Sequence, residues 1–237
     1  MTIRLEKGQR INLEKADSSK LLHFCVGCSW GAIESMEEVE IKTPRFLGLL
    51  GNRVTREVRK VMKDVDLDLS CIMLDKEGAL CDHIYSPLYK QSFLEHYRMP
   101  RGKVDSVDRA LHHSGDDLHG DTDGNDGLDN EIITVDLEKV SPKVEQIFFF
   151  LNNCGREDFS RIPYASIRMY EGTPSKVGQV FAQYDVAATP QYQGMLALIM
   201  GKLYRRGGEW RFAAIGDAFP DANICVTIAR ILNQYAR

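Results

Sequence analysis

The stretch Val65-Asp66-Leu67-Asp68-Leu69-Ser70-Cys71-Ile72-Met73 decides the fold class. Val65, Leu67, Leu69, Cys71 and Met73 recur at every second position, the period of a strand that buries one face. By the same alternation Asp66, Asp68 and Ser70 project together from the other face. Two carboxylates on one face of a strand repel each other, and the arrangement is costly unless a cation or basic residues sit opposite. The segment therefore predicts a strand and a first candidate site.

The same period extends along the chain. Leu22, Phe24, Val26 and Cys28 share one face of a second strand, and further strands are expected over Ile132–Leu137, Val144–Leu151, Ala165–Tyr170, Leu196–Arg205 and Glu209–Ile215. Gly207-Gly208 separates the last two and suits the positive φ angles of a two-residue hairpin turn. Ile3–Leu5 and Ile11–Leu13 flank Lys7-Gly8-Gln9 and predict a short hairpin at the start. Two segments read as helical. Val54, Val58, Val61 and Met62 lie on one helical face among basic residues, and Asp221 is placed to cap a helix burying Cys225, Ile228, Ala229 and Leu232. Many strands, few helices and frequent glycine turns predict an all-β fold with minor helices: a two-sheet β-sandwich with a short basic helical insertion and a C-terminal helix. No repeat or linker divides the chain, so residues 1–237 read as one domain, with insertions near 42–63 and 87–111.

Charge is unevenly spread. The net charge is −4, yet His112 to Glu131 holds seven acidic residues and no Lys or Arg, whereas Lys42 to Lys63 is strongly basic. The opening MTIRLEKGQRINLEK has no apolar core suited to a secretory signal, and Met195–Met200 is too short to span a bilayer. Six cysteines spread over this length do not make a disulfide framework, so reduced thiols and a cytoplasmic location are expected.

The second acidic stretch runs His113-Ser114-Gly115-Asp116-Asp117, then Asp121-Thr122-Asp123-Gly124-Asn125-Asp126-Gly127-Leu128-Asp129-Asn130-Glu131. Glycines among carboxylates and amides let the backbone turn several oxygens toward one point. Calcium takes about six to eight such hard oxygen ligands in tolerant geometry, and magnesium is stricter. An EF-hand loop begun at Asp121 would put Asp126 at its glycine position and Ile132 at its bidentate glutamate position, so that motif is excluded. Solvated loops whose side chains bond their own backbone have the same composition.

These blocks also carry a resemblance. Val65–Ser70, His113-Ser114-Gly115-Asp116-Asp117-Leu118-His119-Gly120, Asp129-Asn130-Glu131, Val135-Asp136-Leu137 and Gly208-Glu209-Trp210-Arg211-Phe212-Ala213-Ala214-Ile215-Gly216 resemble the signature blocks of the TerD-like tellurium-resistance proteins. Leu5-Glu6-Lys7-Gly8-Gln9 and Gly27-Cys28-Ser29-Trp30-Gly31 fit the opening of that family. The resemblance implies a calcium-binding sandwich with a role in resistance to tellurite and other stresses, and the leading functional reading is a non-enzymatic, metal-dependent adaptor. The ligands implied by the resemblance are Asp66, Asp68, Gly115 (by its carbonyl), Asp116, Asp117, Asp126, Asp129, Asn130 and Glu131. Asp117 stands where the family often has Asn, and the loop before Glu131 is longer than its usual run.

Weaker signals have plainer readings. Cys25 and Cys28 fall on opposite faces of their strand and read as structural thiols, and His113 reads as a residue that orients its loop rather than a zinc ligand. Trp30 and Trp210 are expected core aromatics. The basic segment with Phe46, Leu47, Leu49 and Leu50 has the composition of a membrane-surface or partner-docking element, or of a packed helix with a solvated face. Expected partners are calcium ions and proteins of a stress-response complex, with the inner-membrane surface as a further location and no nucleic acid. The competing functions are calcium-dependent membrane docking and a metal-dependent hydrolase or phosphoryl-transfer enzyme. The second lacks a phosphate-cradling motif.

Overall fold

The computed structural model describes residues 3–4, 8–13, 19–44, 52–155, 157–185 and 189–236. Its strands are β1 (Ile3–Arg4), β2 (Arg10–Asn12), β3 (His23–Trp30), β4 (Ile33–Pro44), β5 (Asn52–Lys63), β6 (Leu67–Leu74) and β7 (Leu80–Ile84). There follow β8 (Leu111–His113), β9 (Glu131–Asp136), β10 (Gln146–Asn153), β11 (Ala165–Thr173), β12 (Lys176–Asp185), β13 (Ala197–Arg206) and β14 (Glu209–Phe219). Helix α1 covers Gln91–His96 and α2 covers Ile224–Gln234. The first sheet has the order β1-β12-β11-β3-β9-β8, and the second β2-β14-β13-β10-β6-β7.

The core lies between these sheets. Val26, Cys28 and Trp30 of β3 and Ile133 of β9 pack there against Leu67 and Leu69 of β6 and Phe149 and Leu151 of β10. Sheet two is also covered on its outer face. Ile72, Phe148, Phe150 and Ile199 meet Ile224, Ile228 and Ile231 of α2 and Leu94 of α1. Burying each such Ile or Phe contributes roughly 1.5–3 kcal/mol. This second apolar layer is why β6 and β10 are buried on both faces. Cys28 faces the inner core and Cys25 the outer face of sheet one, as the alternation requires. Gly207 and Gly208 both have positive φ, 62° and 82°, and close the β13–β14 hairpin between Arg206 and Glu209. No helix among the described residues is long and apolar enough to cross a membrane.

Four sequence expectations are corrected. The basic segment within 42–63 is not a helix: Asn52–Lys63 is strand β5, antiparallel to β4. Val54, Thr55, Val58 and Val61 are β-branched and suit a pleated ribbon, and the partner strand supplies acids that the helical reading left out. Arg56 pairs with Glu40 at 3.4 Å, Lys60 with Glu34 at 2.7 Å and Lys63 with Glu37 at 3.1 Å. The basic face is thus largely answered within the arm. The segment Phe46–Leu50, part of the same docking expectation, lies outside the described residues. The opening hairpin is also not formed: β1 runs parallel to β12 in sheet one, while β2 pairs with β14 in sheet two, and residues 5–7 between them lie outside the described residues. Asn223, not Asp221, caps α2 by accepting from Val226 N, because Asp221 is held by Arg230 through two bonds of 2.9 and 2.6 Å; Ala229 lies on the exposed side. Trp210 packs against the inner core but only at its rim, half-buried, with the Arg205 guanidinium 4.4 Å above its ring.

The β4–β5 arm forms a two-stranded sheet of its own, joined to the core by Ile33 at its base. Since Ile33 and Lys63 are paired across that base, a short turn can bridge them. Replacing Glu34–Met62 by Asn-Gly is expected to leave the melting temperature of the sandwich within about 3 °C, because the described side chains of β4 and β5 are mostly solvated. A differential scanning calorimetry trace with a much lower transition would show that the arm braces the core.

Candidate metal centre

Strand β6 is longer than the edge strand beside it. β7 pairs only with Cys71–Leu74, which leaves the Leu69 N–H and C=O without a strand partner on that side. Two side chains from sheet one take the place of a strand. The Leu69 N–H donates to Glu131 Oε2 at 2.7 Å, and His113 Nε2 lies 3.0 Å from the Leu69 carbonyl. Gly115 N–H donates to His113 Nδ1 at 3.0 Å, so the ring proton is on Nε2 and is given to Leu69. Glu131 and His113 are 0 % and 3 % exposed and stitch the two sheets together at this edge.

The loop carrying Asp116 is strapped to the same place. Ser114 N–H donates to the Ile132 carbonyl at 2.8 Å, and Asp117 N–H donates to Glu131 Oε1 at 3.1 Å. Farther along, Val65 N–H donates to His119 C=O at 3.0 Å and Asp121 N–H to Trp30 C=O at 2.9 Å. Gly115 sits at φ +111°, a conformation that side-chain-bearing residues rarely adopt, and this turns the chain so that Asp116 faces β6.

As a result, carboxylate oxygens of Asp68, Asp116 and Glu131 lie within 4.8 Å of one another. They come from β6, from the loop after β8 and from β9, which are remote in sequence. Among the described residues none of the three is paired with Lys or Arg; their side-chain neighbours include the Ser86 hydroxyl on Asp116, the Tyr89 hydroxyl and the Cys154 thiol on Asp68, the thiol at 3.0 Å, and His113 3.4 Å from Glu131. Burial, then the charges of Glu131 and Asp116, push Asp68 up to about 6; burial and the charges of Asp68, Asp116 and Asp117 push Asp66 up to about 6. Burial likewise raises Glu131 against the hydrogen bonds it accepts. Asp66 Oδ1 is buried and accepts no hydrogen bond. An all-oxygen, mutually repelling donor set fits a hard divalent cation of the calcium type.

The other expected ligands are placed differently. Asp117 accepts from His119 and Gly120 N–H and from the Asn130 amide; these bonds outweigh burial and hold it below the usual carboxylate range. Asn130 also donates to Asp121 and accepts from Trp30 N–H, so its amide organises the loop. Asp129 lies on the outer face of sheet one, against Gly27, with both oxygens on Arg168 Nε at 2.9 and 3.1 Å. Asp126 is exposed and accepts from Leu128 N–H. Gly115 shapes the turn as described. Sequence reasoning missed Ser86, Cys154 and Asn152, which border the cluster, because only strand pairing brings them there: Asn152 is the cross-strand partner of Asp68. His23, Asp136 and Glu138 form another group with ligand spacing, but Lys139 already neutralises Asp136 at 2.8 Å.

A family model described as the TerD domain matches residues 1–230. Stress response protein SCP2 of Bacillus subtilis (strain 168) is 31% identical over 236 residues, covering 97% of this chain and 99% of its own length. Tellurium resistance protein TerZ of Serratia marcescens is 28% identical, over 91% of this chain and 90% of its own. Among solved structures, a homologue of the telluride resistance protein TerD from Streptomyces coelicolor A3(2) superposes with a TM-score of 0.55 at 13% identity, over 91% of this chain and 97% of that one. That likeness is one of fold.

Proposed function

Because the chain belongs to the TerD domain family, we propose that it is a non-enzymatic, calcium-binding stress protein that contributes to tellurite resistance as a metal-dependent adaptor. The observation that carries the reading is the convergence of Asp68, Asp116 and Glu131, none of them paired with a Lys or Arg among the described residues. Those three residues supply the protein ligands, with Asp66 alongside them. The ion neutralises the cluster and ties β6 to the Asp116 loop. Binding energy then becomes stability of that edge, and the loaded edge is the surface a partner reads. The resistance role comes from the names of the relatives, and the calcium role from the chemistry of the donor set. The arm carries acids beside its bases, which weakens the case for electrostatic docking to an anionic bilayer. Isothermal titration with calcium, magnesium and zinc tests the reading: calcium binds most tightly, and a chain that takes up none of them refutes it.

A pH dependence follows. Asp66 and Asp68 titrate near 6 in the folded chain and at the ordinary 3.8 when unfolded. The folded state binds these protons more tightly, so without metal stability is greatest below about pH 4 for these groups and is lost as pH rises through about 6. Asp117 and Asp158, held low by hydrogen bonds that outweigh burial, lose stability only at lower pH, as the solution passes through their folded values. Metal-free protein is therefore expected to melt at a lower temperature at pH 7 than at pH 5, and Asp68→Asn to flatten the difference. Calcium affinity is expected to fall about tenfold per unit below pH 6, one proton being displaced. A melting curve that rises from pH 5 to pH 7 without metal would contradict the assignment.

A further inference from the structure

Beside the metal centre a cleft of about 460 Å³ opens along Asp66, Asp68 and Asp116. Part of its wall is apolar, with Leu88, Phe93, Leu118 and Leu196 and the ring of Tyr89. On the described side Lys90 is its one lining cation against three carboxylates. Asn152 also lines it, is 1 % exposed, and its Oδ1 has no hydrogen-bond partner. The amide orientation is fixed by its other end. The Thr227 hydroxyl is donated to the Asn223 carbonyl, so its lone pair accepts Asn152 Nδ2 at 2.9 Å and the oxygen is the atom left unmet. Asp66 Oδ1 is a second buried acceptor of this lining without a donor, and Asp66 is not among the three carboxylates that meet within ligand distance.

The cleft therefore offers three carboxylates, two unmet acceptors, aromatic rings and an apolar wall, against one ammonium, that of Lys90. Even with a divalent ion on Asp68, Asp116 and Glu131 the formal charge of the acids, Asp66 included, stays negative, which disfavours an anionic occupant. We propose that this cleft binds an ammonium or guanidinium group carried on an apolar stem, as on a lysine or arginine side chain or a free alkylamine. Its N–H groups meet Asp66 Oδ1 and Asn152 Oδ1, its charge rests against the Tyr89 and Phe93 rings, and its stem lies on Leu118 and Leu196. The inference rests on the calcium reading above and names the chemistry the loaded edge would recognise.

Fluorescence anisotropy on the calcium-loaded full chain tests it, with a labelled leucine-rich peptide bearing one arginine and the same peptide bearing citrulline. The arginine peptide binds, and citrulline, which keeps the shape and loses the charge, weakens it at least about tenfold. Asn152→Leu lowers affinity by a similar factor, and calcium uptake unchanged in that variant guards against misfolding; the arginine–citrulline comparison tests the proposal on the unmodified chain. Displacement by agmatine at a concentration similar to that of unlabelled peptide assigns the site to small amines, and much weaker displacement assigns it to a protein side chain. Equal binding of the arginine and citrulline peptides, or no binding of either, overturns the proposal. Calorimetric calcium uptake measured on the same samples separates the two failures, since intact uptake with no peptide binding leaves the metal reading standing.

Discussion

Calcium at a hundredfold excess over its Kd is expected to raise the melting temperature by about 5–10 °C, and Asp116→Asn is expected to abolish the rise. A ligand bound only by the folded state at that excess stabilises by about 2.7 kcal/mol, and a domain of this length gains roughly 2–4 °C per kcal/mol. The substitution is chosen for its double signature. An asparagine oxygen can still accept the Ser86 hydroxyl that Asp116 accepts now, so local shape is kept. Removing one of the repelling charges should also make the metal-free variant melt higher than the metal-free parent. A variant that simply misfolds would melt lower in both conditions. Calorimetry with chelator and with calcium distinguishes the two patterns.

Arg168→Ala is expected to destabilise the fold by about 3–5 kcal/mol while leaving the calcium response in place. The Asp129 side chain is fully buried and lies on the outer face of sheet one, and Arg168 supplies the ion pair that offsets its burial. Gly27 is part of the same arrangement, since a Cβ there would stand 2.1 Å from Asp129 Oδ2. Losing Arg168 strands a carboxylate in an apolar setting with Tyr170 beside it. Changing both Asp129 and Arg168 to leucine should recover most of the loss, because a buried pair replaced by packed apolar groups is often neutral. Urea unfolding at constant m-value measures this, and a large fall in calcium affinity in Arg168→Ala would restore Asp129 to the ligand set.

The period-two pattern located β3, β6, β9, β10, β11, β13 and β14 because each buries a face in the inner core, so its inward residues must be apolar. It did not locate β4 and β5. Their faces are solvated, and with no buried side to impose alternation the valines of β5 fell at helical spacing. At the site, Asp68, Asp116 and Glu131 were legible as acids lacking counter-charges. Which acids meet was not legible, since that depends on sheet face. Glu131 points into the sandwich and Asp129, two residues earlier, lies on the outer face; an arginine from β11, distant in sequence, claims Asp129. Asn152 and Ser86 carry no motif and reach the cluster through strand pairing and loop closure.

A crystal grown with calcium tests the account most directly. It predicts an ion bound at about 2.3–2.6 Å by carboxylate oxygens of Asp68, Asp116 and Glu131 together. An ion held instead by the exposed loop at Asp123 and Asp126, with Asp68, Asp116 and Glu131 left metal-free, would contradict it.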